Sequence, residues 1–147
     1  MKKKNTRPYP LENRTKWENF WKSLWFGSMP EIIDDFIISG RLTPAKRGQI
    51  TKLINQIIND DCLSFKIGKT GDIEIRADQK DYRKYDKLYP VFESTSKDII
   101  SDLEVEYIEK YKKLYPEKCD NITIARVGNM YSYDGYYYLY VVVKNDV

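Results

Sequence analysis

Two cations ten residues apart, Lys66 and Arg76, are the side chains best placed to act together. Leu63, Phe65 and Ile67 alternate with Ser64 and Lys66, the period of a half-buried strand. Gly68-Lys69-Thr70-Gly71 breaks that strand. Asp72 then suits the N-cap of a helix and can pair with Arg76, about one turn in. A strand, a tight basic turn and a helix thus aim Lys66 and Arg76 into one hollow above the strand end.

The chain has no histidine. Ser-His and Cys-His nucleophiles, histidine general bases and His-ligated zinc are excluded, so acid-base work falls to Tyr, Lys, Glu or Asp. Tyrosine is abundant, 13 in 147 residues, enough to place phenols at half-buried, partly wet positions. Among the carboxylates Glu104 stands out. It belongs to the best-defined helix, roughly 96–114, whose Ile100, Leu103, Tyr107, Tyr111 and Leu114 recur at intervals of three and four. Glu104 falls at the border of that buried face, where a carboxylate needs a metal or a cation. The plain alternative to a metal is an ion pair with a basic residue of the preceding helix.

The elements that must position these groups can be read in order. Residues 1–14 are a basic, proline-containing arm. A helix capped by Thr15 carries Trp17, Phe20, Trp21, Leu24 and Trp25 as an aromatic stripe, and a second is expected over 30–39. Thr43 and Pro44 open a third, with Ile50, Leu53, Ile54, Ile57 and Ile58 on one face. A helix over 72–85 would align Arg76, Lys80, Arg83 and Lys84. Lys87–Phe92 is a strand that Pro90 limits to an edge or a strand end. Ile122–Val127 is a short strand, and Asp134-Gly135 a turn into a last strand. That strand puts Tyr136, Tyr138 and Tyr140 on one face and Tyr137, Leu139, Val141 and Val143 on the other.

The expected class is α+β: a small, mostly antiparallel sheet flanked by helices, with about three helices before it. Residues 1–60 form the arm and helical segment, and 61–147 the α/β domain. The net charge of +3, from 25 basic and 22 acidic residues, permits nucleic-acid binding without arguing for it. Cys62 and Cys119 are isolated and read as buried thiols of an intracellular, cytoplasmic protein. No apolar run approaches the roughly 20 residues of a membrane span.

Lys66-Ile67-Gly68, the following Thr70, and Arg76 eight residues after Gly68 resemble the second half of the GIY-YIG nuclease motif in its KIG variant. Glu104 with Ile108 resembles that family's E-x-x-x-I, and Asn121 falls where it often has an ordering asparagine. The family's first motif strand, which carries a reactive tyrosine, normally precedes the KIG strand. Here 41–60 is helical and the tyrosine strand comes last, so the resemblance implies a circular permutation covering about 61–147. It also implies antiparallel pairing of the C-terminal strand with Phe65–Ile67.

Carried over, the resemblance makes Tyr138 or Tyr140 the base, with Tyr136 also open. Arg76 becomes the electrostatic clamp, Glu104 the ligand of one Mg²⁺ or Mn²⁺, and Lys66 a charge beside the tyrosine. Lys69, Thr70, Arg76, Lys80 and Arg83 would meet DNA. The implied activity is metal-dependent endonuclease cleavage of DNA, of restriction, phage or mobile-element type. The alternative is a silent module of the same fold that binds nucleic acid or a protein partner, the latter through the N-terminal aromatic helices, as in a phage counter-defence protein.

Overall fold

The computed structural model describes residue 24 and residues 27–59, 61–122 and 130–145. In chain order the elements are β1 (Glu31–Ile32), α1 (Pro44–Ile57), β2 (Cys62–Thr70), α2 (Ile73–Asp78), a 3₁₀ turn (Lys80–Tyr82), β3 (Lys87–Ser94), α3 (Lys97–Leu114) and β4 (Tyr137–Asn145). The arm 1–14, the aromatic helix from Thr15 apart from Leu24, and all but Ile122 of the strand expected over 122–127 lie outside the described residues.

The local signals act where their chemistry says they should. Thr43 accepts the Lys46 N–H at 3.2 Å and Pro44 follows, so α1 starts without an orphaned donor at that position. Ser96 caps α3 in the same way through the Ile99 N–H. Asp134 accepts the Tyr136 N–H at 3.0 Å, and Gly135, at φ 88°, closes the turn into β4.

The sheet order is β1-β3-β4-β2, an α+β arrangement with a mixed open sheet. β4 pairs antiparallel with both β2 and β3, and β1 adds a two-residue parallel pairing to β3. The expected pairing of the C-terminal strand is present: Phe65 faces Val143, Lys66 faces Val142 and Ile67 faces Val141. The two-residue period of β4 divides the protein into two cores. Leu139, Val141 and Val143 join Phe65, Ile67 and the apolar faces of α1 and α3. On the opposite face Tyr140 and Val142 join Ala77, Tyr82, Tyr85 and Leu88 beneath α2 and the 3₁₀ turn. β1, upstream of residue 61, is part of this same sheet, and α1 part of this same core.

Three expectations are corrected. Residues 30–39 form no helix: Glu31–Ile32 is a strand and Ile38 bridges to Phe92. The β-branched run Ile32, Ile33, Ile37, Ile38 prefers the sheet edge that β3 offers. The helix expected over 72–85 stops at Asp78, because Gln79 turns extended (ψ 144°) before the 3₁₀ turn. That break turns Tyr82 and Tyr85 inward under the sheet and abolishes a continuous basic face. Pro90 lies in an interior strand rather than at an edge. It is tolerated because β1 reaches only Lys87 and Leu88, and the β3–β4 register shifts between Pro90 and Phe92.

Leu139, fully buried in the central strand, tests this packing. Leu139→Ala should lower the unfolding free energy by about 2–5 kcal/mol in a urea titration. A loss well under about 1 kcal/mol would mean that the helices do not close over β4.

Candidate functional site

The glycine of the Lys66-Ile67-Gly68 run faces Tyr140 across the β2–β4 pairing. A methyl group built on Gly68 would stand 2.3 Å from the Tyr140 hydroxyl oxygen, well inside contact distance. Only glycine lets the Tyr140 phenol lie over β2. There its hydroxyl is 2.6 Å from that of Tyr82, with the two rings edge-to-face at 5.9 Å. The Arg76 guanidinium lies 5.5 Å over the Tyr82 ring and 6.0 Å over the Tyr140 ring, and donates a long 3.4 Å hydrogen bond to the Tyr82 hydroxyl. The Lys66 ammonium is 5.1 Å above the Tyr82 ring. Two cations and two phenols therefore meet on one face of β2.

The other face of β2 contributes Lys69. Its ammonium donates to the Ser101 hydroxyl at 3.1 Å and lies 3.6 Å from the Glu104 carboxylate. Glu104 thus has its cation from β2, not from a preceding helix. Both halves line one hollow of about 760 Å³ that wraps the outer edge of β2, and Arg76, Tyr82, Tyr140 and Glu104 all border it.

Burial governs the electrostatics. It drives the Tyr140 hydroxyl well above the ordinary phenol value, with Tyr82 adding to the rise and Arg76 opposing it. Burial also lifts the Glu104 carboxyl, against the pull of Lys69 and Arg76. For Arg76 burial works against the charge, but Tyr140, Tyr82 and Glu104 outweigh it and move the guanidinium above its ordinary value. The Arg76 Nε is buried and has no hydrogen-bond partner among the described residues. Buried donors are rarely left so.

The remaining expected residues have other work. Tyr138 is buried and donates to Asp134 at 2.7 Å, outside the lining of the hollow, so among the tyrosines of this strand only Tyr140 reaches Arg76. Asn121 lies at the hollow but faces the main chain: it accepts the Ile67 N–H at 3.0 Å and returns a bond to the Ile67 carbonyl at 2.8 Å. Thr70 folds the turn by bonding both the N–H and the carbonyl of Asp72, and the Asp72 carboxylate caps α2 at Ile75. Arg83 is buried. It pairs with Asp78 at 2.7 Å and donates to the Gly27 carbonyl, so it is no surface contact for a phosphate. Lys80 is exposed and stands outside the lining. Cys62 and Cys119 are free buried thiols.

Tyr82 is the site residue that sequence patterning misses. Its only advance signal is that Lys66 stands where the resembled motif has its second tyrosine, which leaves a phenol to be sought elsewhere.

No group of three or more Cys, Asp or Glu side chains is arranged to cage a metal among the described residues. Asp72, Asp81 and Asp120 line the hollow with Glu104, and even one carboxylate suits Mg²⁺ or Mn²⁺, ions commonly held by one or two carboxylates and completed by phosphate and water. Glu104 fits that donor set. The chain matches no protein-family model, no curated protein and no solved structure.

The Glu104 shift has a testable sign. A carboxyl whose folded value lies above the ordinary 4.5 carries stability in its protonated form. That stability is present at low pH and lost as pH rises through the folded value. Glu104→Gln, which stays neutral, should therefore melt at or above the parent temperature at pH 8, with the gap closing as pH falls toward 4.5. A variant that melts well below the parent at pH 8 would show that the Lys69 ion pair outweighs the burial cost.

Proposed function

We propose that the chain is a metal-dependent endonuclease that hydrolyses DNA phosphodiester bonds, a permuted relative of the GIY-YIG nucleases in their KIG form. The observation that carries this reading is Arg76: a charged, half-buried guanidinium whose buried Nε has no partner among the described residues, set beside a second cation over two hydrogen-bonded phenols. A phosphate oxygen is the acceptor that such a donor lacks.

In this reading Arg76 and Lys66 hold the phosphate and stabilise the charge that develops on it. Tyr140 stays a neutral phenol at ordinary pH because burial raises its ionisation. It therefore takes the attacking water's proton only as it passes its own to the Tyr82 oxygen 2.6 Å away, and Tyr82 releases a proton to the solvent of the hollow. The bond to the leaving oxygen breaks as the water oxygen joins phosphorus, and the departing oxygen takes up a proton from the solvent of the hollow. A divalent ion on Glu104 would supply polarisation of the phosphate and of the leaving oxygen. A second reading, a non-cutting nucleic-acid-binding module of the same architecture, draws support from Lys69, which already neutralises Glu104 at 3.6 Å.

Nicking of supercoiled plasmid in Mg²⁺ or Mn²⁺ tests the first reading. Arg76→Ala and Tyr140→Phe should each slow it about 10²-fold or more, and Glu104→Gln should abolish it while the melting temperature holds. No metal-dependent nicking by the parent protein would leave the binding module.

Binding is tested separately by salt. Log affinity for duplex DNA should fall against log salt by about 0.9 for each phosphate neutralised, and Arg76→Gln should flatten that slope by about one contact. A salt-independent affinity would oppose both readings.

A further inference from the structure

The mouth of the hollow differs from its floor. Of the nine large apolar side chains exposed among the described residues, three line this one hollow: Ile75 at 42%, Ile122 at 91% and Tyr131 at 82%. The floor is mixed in charge, with Asp72, Asp81, Glu104 and Asp120 in the lining beside Lys69, Lys66 and Arg76, but Lys66 and Arg76 stand together over the Tyr82 ring. An apolar rim beside that cation pair is the pattern of a ligand with an anionic end and a flat, apolar-faced end. The volume of about 760 Å³ lies within the roughly 300–1,000 Å³ of small-ligand sites.

Tyr131 is also held in place from behind. A methyl group built on Gly71 would lie 1.9 Å from the Tyr131 carbonyl oxygen, so the two main chains are in direct contact. The Tyr133 N–H donates to the Gly71 carbonyl at 3.1 Å, and the Ser132 hydroxyl to the Tyr136 carbonyl at 2.7 Å. The exposed ring therefore projects from a main chain anchored to the turn that follows Lys66 and precedes Arg76.

We infer that the hollow receives a nucleotide whose base has left its stack, and that Tyr131 is the platform on which this base lies. This rests on the phosphodiester reading of the same hollow and narrows its substrate to single-stranded or locally unpaired DNA. The reason is steric. In continuous duplex both faces of each base are covered by neighbours, so a ring at the mouth can meet a base face only when that base is free. Base–aromatic stacking tolerates every base, because each has a π-face. Arg76 and Lys66 then take the attached phosphate, and Ile75 and Ile122 flank the base.

The test is anisotropy titration of the full chain at low salt in EDTA, with labelled oligothymidylate, a continuous duplex, and a duplex with a central unpaired bubble. Tyr131→Ala should weaken binding to oligothymidylate and to the bubble about tenfold, with the duplex nearly unchanged. Tyr131→Phe should restore the parent affinity, since the ring and not the hydroxyl does the stacking. Equal affinity of Tyr131→Ala and parent for the single strand, or an equal loss on all three probes, would overturn the inference while Arg76→Gln still reports on the phosphate site. Failure of the parent protein to bind any of the three would remove the phosphodiester reading and this inference with it.

Discussion

The close approach of the Tyr140 phenol to Gly68 is the contact on which the site depends. A side chain at position 68 would push the ring off β2, and the 2.6 Å contact with Tyr82 would go with it. Arg76 would then lose one of the two aromatic rings over which its half-buried guanidinium lies, at 6.0 Å. One missing Cβ in an edge strand thus links the register of two strands to the electrostatics of a hollow. The register is itself secured by burial, since a one-residue slip would turn Tyr140 into the α1/α3 core and Val141 out of it.

The parity of β2 divides the labour. Lys66 and Gly68 look toward α2 and the 3₁₀ turn, whereas Phe65, Ile67 and Lys69 look toward α3. A single strand can therefore serve a phenol–guanidinium cluster on one face and a carboxylate on the other. The hollow joins them because β2 has no full strand beyond it.

What the sequence disclosed and what it hid follow from the range of the forces involved. The caps at Thr43 and Asp72 are local, and so are the two-residue period of β4 and the three-four spacing of α3, and all were legible. Which of Tyr136, Tyr138 and Tyr140 would stand with Arg76 was left open by the sequence, because the choice depends on how β4 registers on β2. The break at Gln79 was not legible. No glycine or proline marks it, and it is stabilised by packing Tyr82 and Tyr85 under a sheet whose strands lie far apart in sequence. The capture of Arg83 by Asp78 depends on the same fold. Residues 30–39 misled because an isoleucine-rich run bounded by Pro30 and Gly40 suits a helix and a strand alike, and only the presence of β3 decides.

The way the outer side of β2 is closed has a consequence for the protein in a crowded solution. A nine-residue terminal strand with unpaired N–H and C=O groups is a template on which another chain can grow. Residues 118–121 occupy that template instead. The Phe65 N–H donates to the Lys118 carbonyl, Asp120 donates back to Phe65, and the Asn121 amide closes both groups of Ile67 as a neighbouring strand would. Lys112 holds the Asn121 carbonyl from α3. The wall of the hollow is therefore also a guard against β-sheet self-association. A substitution that loosens Asn121 would expose the molecule to aggregation before it altered any chemistry in the hollow.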